Sequence, residues 1–592
     1  MAATRTGLRH ALVLLAVVTA CRKGAAPAES SAPASQAVAS EPGAAGQDES
    51  ITNTQEAGVD EGGIIKTHGE HLVVLRRGRL FSVDLGDDQL RPRSVVDVPP
   101  FRGHDAWYDE MLIHGDTIVV VGYSYHDTAT EIGLFHIDDA GDLSHVDTYF
   151  LRSNDYYSSR NYASRMVGDK LVFYMPHHLG SRGLGARRRA ASLPSLRGAR
   201  RGDDWHRIIG DDDIVPSIDD AADTLHTLVT CDLGGADVGC RGRGVQGGQG
   251  RSFYVSGKAI YVWTAGTPSA NGMPRSSLYR LPLGEGPIGA LHVQGMPIDQ
   301  FSFKEANDGE LHVALTTEGA GEGMWSAEAT QGGPAHGDLG MVSIGALGFA
   351  KWGDTVPSRA YRDLPEPQGS GTLQNRFVDD ALLYGYGSGW GWAQGSAAAV
   401  SVHHVDGAWE DTTIPIVHGV DRLEALGRDA VVVGSSGDAL HFTSLSLRGR
   451  PAAAGHFALD GASQGELRSH GFFYKATSDR GGMLGLPVRG AGGRGSDHLL
   501  DGSAAVMYLG VDDLQFSTLG LLHADPRSAT DDRCVASCID WYGNARPVFY
   551  RGRVFALLGY ELVEGRIDEG SMHEVRRVDM LDAMGGALQR AR

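Results

Sequence analysis

The sequence predicts an all-β fold, a single seven- or eight-bladed β-propeller behind a lipoprotein signal and a disordered tether, and three observations predict it. Glycine makes up 82 of 592 residues, roughly twice its ordinary usage, which calls for many tight turns. A short glycine-led motif recurs along the chain, and the spacers between its copies carry strands. No long stretch shows the apolar period of an amphipathic helix. With 53 Lys and Arg against 73 Asp and Glu, the net charge is −20. Such a chain repels a phosphate backbone, so nucleic-acid binding is not expected.

The N-terminus stands outside the fold. Arg5 and Arg9 precede an apolar run from Ala11 to Val18, too short to span a bilayer but suited to the core of a secretory signal. The run ends in Val18-Thr19-Ala20-Cys21, which resembles the lipobox of bacterial lipoproteins, where the signal is cut before a cysteine that then carries lipid. Residues 1–20 are therefore expected to be the signal and Cys21 the lipidated N-terminus. Residues 21–50, rich in Ala, Ser and Pro, offer too little apolar surface to offset ordering entropy and read as a flexible linker. Its relaxed span is on the order of 30 Å. Arg22, where inner-membrane lipoproteins of enteric bacteria carry Asp, directs the expectation to the outer membrane, on its periplasmic face or at the cell surface, with the lipid as the only membrane contact.

Four further cysteines form two close pairs, Cys231 with Cys240 and Cys534 with Cys538. In an oxidising compartment these read as two local disulfides, expected to pin loops outside the repeated strands. Their spacings do not suit a zinc site.

The repeat runs through residues 51–592. A glycine, usually a charged residue, and then an apolar β-rich run appear at Gly69, Gly115, Gly168, Gly257, Gly309, Gly427 and Gly552, with weaker copies at Asp380 and Gly471. Glycine supplies a tight turn, and the run after it, such as Leu72–Leu75 or Ile118–Val121, is expected to be a strand buried on both faces. An outer strand follows, as in Arg79–Val83 or Glu131–His136. A period near 50 residues containing only strands is the mark of propeller blades. The gap between Gly168 and Gly257 holds an Arg- and Gly-rich insertion, about residues 176–220.

The run Thr52-Asn-Thr-Gln-Glu-Ala-Gly58-Val-Asp60-Glu61-Gly-Gly-Ile-Ile-Lys66-Thr-His-Gly69 resembles the opening motif T-N-x-Q-x-x-G-V-D-E-A-D-I-V-K-T-D-G of bacterial and archaeal secreted proteins with a C-terminal β-propeller domain distantly related to WD40 repeats. Tyr162–Asp169, Asp299–Phe303 and Leu311–Ala314 agree with that family in the same order. The resemblance covers roughly residues 50–565, departs at Gly62, Gly63 and His68, and is hard to follow from about 480 to 545. It implies the fold and an exported location, and it carries over no catalytic residues.

Other patterns are weaker. Gly242-x-Gly244-x-x-Gly247 lacks the strand and helix that a phosphate loop needs. Gly461-x-Ser463-x-Gly465 lies between two short strands and reads as a turn, not a nucleophile elbow. The pairs His177-His178 and His403-His404 read as surface or turn residues. Asp60-Glu61 and Asp211–Asp213 are the candidates for structural calcium, without an EF-hand loop; no other cofactor is expected. Arg187–Arg189, Arg197, Arg200 and Arg201 read as a solvated insertion loop, with anionic headgroups or polysaccharide as the competing ligand reading.

The leading candidate for ligand binding is Tyr384, Tyr386, Trp390 and Trp392, four aromatics alternating with glycines. Two readings stand. On an accessible loop, these rigid rings suit an envelope protein or a glycan; on a strand, they form an aromatic face packed between sheets. The functional expectation is a lipid-anchored, non-catalytic binding or scaffolding module of the bacterial cell envelope. The alternative is a polysaccharide lyase or hydrolase with its site in the propeller funnel.

Overall fold

The computed structural model describes residues 51–98, 106–154, 164–179, 193–199, 204–219, 223–233, 239–268, 274–318, 336–387, 398–490, 504–525 and 544–581. Among these residues the strands form nine sheets, each of at least four strands. Chain order is spatial order in most of them. In the first, Ile65–His68, His71–Arg76, Arg79–Asp84 and Arg91–Asp97 pair in succession as an antiparallel meander.

The repeated motif occupies one place in this meander, the turn between the first and second strands. Gly69, Gly115, Gly168, Gly309, Gly427 and Gly552 all adopt positive φ there, between +54° and +86°, a conformation that costs glycine nothing. In the sixth sheet Asp379 takes that role at φ +52°, which aspartate tolerates better than most residues.

The second strands are the most buried because each is covered on both faces. Along His71–Arg76 the side chains alternate between two neighbours, as the two-residue period of a strand requires. Leu72 and Val74 join Val548, Phe555 and Leu562 of the ninth sheet in one apolar cluster. Val73 and Leu75 join Met111, Ile118 and Val120 of the second sheet in another. The same relation recurs around the molecule, so that nine apolar clusters each join two neighbouring sheets. The last sheet thus packs against the first. Polar contacts reinforce that junction: Arg553 donates to the carbonyls of Leu85 and Gln89, both at 2.7 Å, Arg576 to Asp88 at 2.8 Å, and the Tyr550 hydroxyl to the carbonyl of Gly69.

Nine sheets stand where the sequence predicts seven or eight blades. The two weak motif copies behave differently from each other. The Asp380 copy does mark a turn of its own, but the Gly471 copy precedes the inner strand Phe473–Ala476, and the eighth sheet turns at residues 477–481 instead. The stretch from 480 to 545, hard to match by resemblance, supplies that sheet's Gly482–Gly490, Ala504–Asp512 and Gln515–His523. The insertion also differs from a plain loop. Its described parts add Ser195–Gly198 and His206–Arg207 to the edge of the second sheet and Ile214–Val215 to that of the third. No helix among the described residues is long and apolar enough to cross a membrane.

Candidate functional site

The opening motif breaks the meander order on the inner side of the sheets. Val59–Glu61 pairs with Ser164–Val167 and so becomes the innermost strand of the third sheet, about a hundred residues ahead of its partner. From there the segment reaches the inner side of five other sheets. Gly63 exchanges backbone hydrogen bonds with Met111 of the second sheet, at 3.1 and 2.9 Å. Asn53 donates to Glu424 of the seventh at 3.0 Å and to the carbonyl of Ser469 in the eighth at 3.1 Å. The Gln55 amide donates to the carbonyl of Gln300, beside the fifth, at 2.8 Å. The Tyr254 hydroxyl, from the fourth, donates to Glu56 at 2.5 Å.

Charge is concentrated where these strands converge. Glu61, 1% exposed, accepts from His470 at 2.8 Å and lies 3.8 Å from the Arg165 guanidinium. Burial by itself would raise its pKa. The Arg165 charge and the His470 hydrogen bond outweigh burial and hold the carboxylate far below its ordinary range. Glu424 is clamped between Arg422 at 2.9 Å and Arg376 at 3.2 Å, and Glu466 pairs with Arg546 at 2.8 Å. Lys66 is tied to Asp60 and to the carbonyl of Glu61, both at 2.6 Å. A buried ion must be paired to be tolerated; Glu61, Glu424 and Glu466 each find a cation on another strand or sheet, and Glu424 has a second, Arg422, on its own strand. The opening motif is the hub that brings the inner strands together.

A cavity of about 130 Å³ lies beside the hub, lined by Gln55, Glu56, Phe301, Phe303, Lys304, Arg376, Phe377 and Asp379. Burial pushes the Glu56 carboxyl up to about 7, against the opposing hydrogen bond from Tyr254 and the charge of Lys304. The Arg376 guanidinium lies over the Phe301 ring, 4.8 Å from its centroid. Lys304 is paired with Asp380 at 3.1 Å. This wall combines a carboxyl that titrates near neutrality, two held cations and three aromatic rings.

Of the residues singled out in the sequence, Asp60 and Glu61 lie in the hub and the rest fall elsewhere. Tyr384 is 1% exposed, packs with Ala314, Leu373 and Leu382, and donates its hydroxyl to the carbonyl of Pro365 at 2.9 Å. It is a core residue on the strand Ala381–Gly387, and Tyr386 rests half-buried against the same cluster. Trp390 and Trp392 lie outside the described residues, as do Cys21, Cys534 and Cys538. Cys231 and Cys240 are joined by a disulfide. The bridge does not pin a loop outside the repeat: the two cysteines sit directly opposite on the paired strands Thr224–Asp232 and Gly239–Gly247.

That second strand also contains Gly242, Gly244 and Gly247, so the glycine pattern is extended backbone. Gly461 turns at φ +65°, as the turn reading expects, but Ala462–Gln464 continues as a short strand paired with the eighth sheet. His177 and His403 are buried, contrary to the surface expectation, while His178 and His404 point the other way. His403 sits 2.5 Å from Asp411. Asp211 and Asp213 pair with Arg207 and Arg241, and Asp60 with Lys66. Arg197 is held by Asp127 at 2.7 Å and stacks over Phe150 and Trp205; Arg187–Arg189, Arg200 and Arg201 lie outside the described residues. No group of three or more His, Cys, Asp or Glu among the described residues is placed to hold a metal ion.

The opening motif is conspicuous in the sequence, but its role as a hub is not. One signal was available. Arg165, Arg376, Arg422 and Arg546 each stand a few residues ahead of a repeat turn, on strands otherwise destined for burial, and a buried arginine demands a buried carboxylate.

A family model described as a β-propeller domain matches residues 49–347, half of the chain. No curated protein matches. Among solved structures, a hypothetical selenium-binding protein from Sulfolobus tokodaii aligns at 8% identity over 80% of this chain and 96% of its own, with a TM-score of 0.31. An acylaminoacyl peptidase from Pyrococcus horikoshii aligns at 11% identity over 72% of this chain and 57% of its own, with a TM-score of 0.27. Nothing about the chemistry of this chain follows from likenesses so remote.

Proposed function

The chain belongs to the β-propeller domain family, and from that premise we propose that its nine sheets close as the blades of one propeller acting as a lipid-anchored, non-catalytic binding or scaffolding module of the bacterial envelope. One observation carries the non-catalytic part: the chain's own opening segment occupies the convergence of the inner strands. The cavity left beside it, about 130 Å³, is well below the roughly 300–1,000 Å³ of small-molecule sites. A polysaccharide strand has no room there, so an envelope protein or glycan would be met by the rims and outer faces. Export and anchoring rest on the signal-like run before Cys21, and the tether that follows sets the body clear of the bilayer.

A second reading rests on Glu56. A carboxyl titrating near 7 beside Lys304 and Arg376 has the protonation range of a general acid, as a hydrolase or lyase would need. One experiment separates the readings. The full-length lipoprotein, labelled with a fatty acid in its native membrane and solubilised, is incubated with purified envelope polysaccharides. The binding reading expects retention of glycan or of a defined envelope protein without chain cleavage, and a label that disappears with Cys21→Ser. Cleavage that disappears with Glu56→Gln would establish the enzyme instead.

A further inference from the structure

Three imidazoles meet on the seventh sheet. His441 lies on the strand Ala439–Ser446 and His456 on its neighbour Ala452–Asp460. The register sets Thr443 opposite His456 and His441 opposite Ala458, so the two histidines are diagonal neighbours on one face. Nδ1 of His441 stands 3.1 Å from Nε2 of His456. The third ring, His418, is fully buried and stacks on His441 with centroids 5.4 Å apart and planes 9° apart.

His418 is fully engaged. Its Nδ1 donates to the carbonyl of Gly419 at 2.8 Å, which leaves Nε2 to accept from the Thr443 hydroxyl at 2.8 Å. It is a neutral platform that holds the other two rings in place, and it has no lone pair left to give. His441 and His456 differ in this respect. Their facing nitrogens have the separation of two ligands on one ion: bonds of about 2.0–2.1 Å place two nitrogens roughly 2.9 Å apart at a right angle and 3.4 Å apart at the tetrahedral angle. The His441 ring also hydrogen-bonds the backbone of Ser436, the kind of outer contact that fixes which nitrogen faces a metal. His441 is half-buried and His456 exposed, so an ion can enter and keep water on its remaining positions.

We propose that His441 and His456 form a two-histidine site for a divalent transition-metal ion of the class that imidazole favours, Cu²⁺, Ni²⁺ or Zn²⁺, completed by water. Mg²⁺ and Ca²⁺, which require oxygen ligands, are excluded by the donor set.

The test uses the full chain stripped with a chelator and titrated with Cu²⁺, followed by calorimetry and by electron paramagnetic resonance. The expected result is one equivalent bound with two equatorial nitrogens, competed by Zn²⁺ only in large excess, as the weaker binder at such donors, and untouched by Mg²⁺. Substitution of the exposed His456→Ala should leave the unfolding midpoint in place, remove one nitrogen from the spectrum and weaken that equivalent by roughly tenfold or more. His441→Ala should do the same. A stoichiometry and a spectrum unchanged by both substitutions would overturn the assignment.

Discussion

Glu131 shows how a single buried carboxyl makes stability depend on pH. It is 2% exposed and accepts from the Tyr108 hydroxyl at 2.6 Å. Burial pushes its pKa up to about 7, and the neighbouring Asp127 adds to the rise, while the tyrosine hydrogen bond opposes it. The folded state therefore holds this proton more tightly than the unfolded chain. The contribution is complete below about pH 4.5 and is lost as pH rises through 7. At 1.4 kcal/mol per unit, the loss is about 3 kcal/mol at most. Glu131→Gln keeps an acceptor for Tyr108 and removes the titration. Urea unfolding at pH 4.5 and pH 8 should then show the variant gaining on the parent protein at the higher pH; an equal difference at both would refute this account. Burial acts in the opposite sense on histidine, holding His177 and His418 near 4. Neither effect was legible in the sequence, because burial of Glu131 or His177 depends on which sheet edge covers it.

At the scale of the element, the disulfide and the hub strand make distinct predictions. Cys231 and Cys240 close a short loop across one antiparallel ladder, with Cα atoms 4.1 Å apart. Removing the bridge by Cys231→Ala with Cys240→Ala should cost about 2 kcal/mol, as expected for so small a loop, measured by denaturant midpoint under non-reducing conditions. The hub should be far more sensitive. Glu61→Ala leaves Arg165 and His470 without their shared acceptor, and breaking one side of a buried pair costs roughly 3 to 5 kcal/mol. A loss under 1 kcal/mol would show that water reaches the hub. The strands themselves were largely legible: apolar runs such as Leu72–Leu75 and Ile118–Val121, led by a turn glycine, lie where the periodicity placed them. Tyr384 was legible only as one of two alternatives, since alternating aromatics describe a packed strand face and an exposed loop equally well. The hub was hidden because its partners are up to 416 residues apart and no local pattern announces such a pairing.

Across the whole molecule, the nine sheets are tied together by side chains, and the junction of the ninth with the first has no strand shared between them among the described residues. Arg553 is central there, with its guanidinium on two carbonyls of the first sheet and on Glu564 at 2.8 Å. Arg553→Ala should cost a few kcal/mol, the sum of several charge-assisted hydrogen bonds, and hydrogen exchange should rise first in the first and ninth sheets. Uniform exchange would argue against a local weak point.

That junction also sets a timetable for the nascent chain. Gly69 receives its hydrogen bond from Tyr550, 481 residues later. At ribosomal rates of roughly 5–20 residues per second, the first sheet waits about 25 to 100 s for its partner. Throughout that interval Leu72, Val74 and Phe81, which end in the cluster shared with the ninth sheet, face solvent on an uncovered strand surface prone to intermolecular association. Truncated products that lack the last sheet should therefore aggregate through the first, which sedimentation of a chain ending before Ala545 would check.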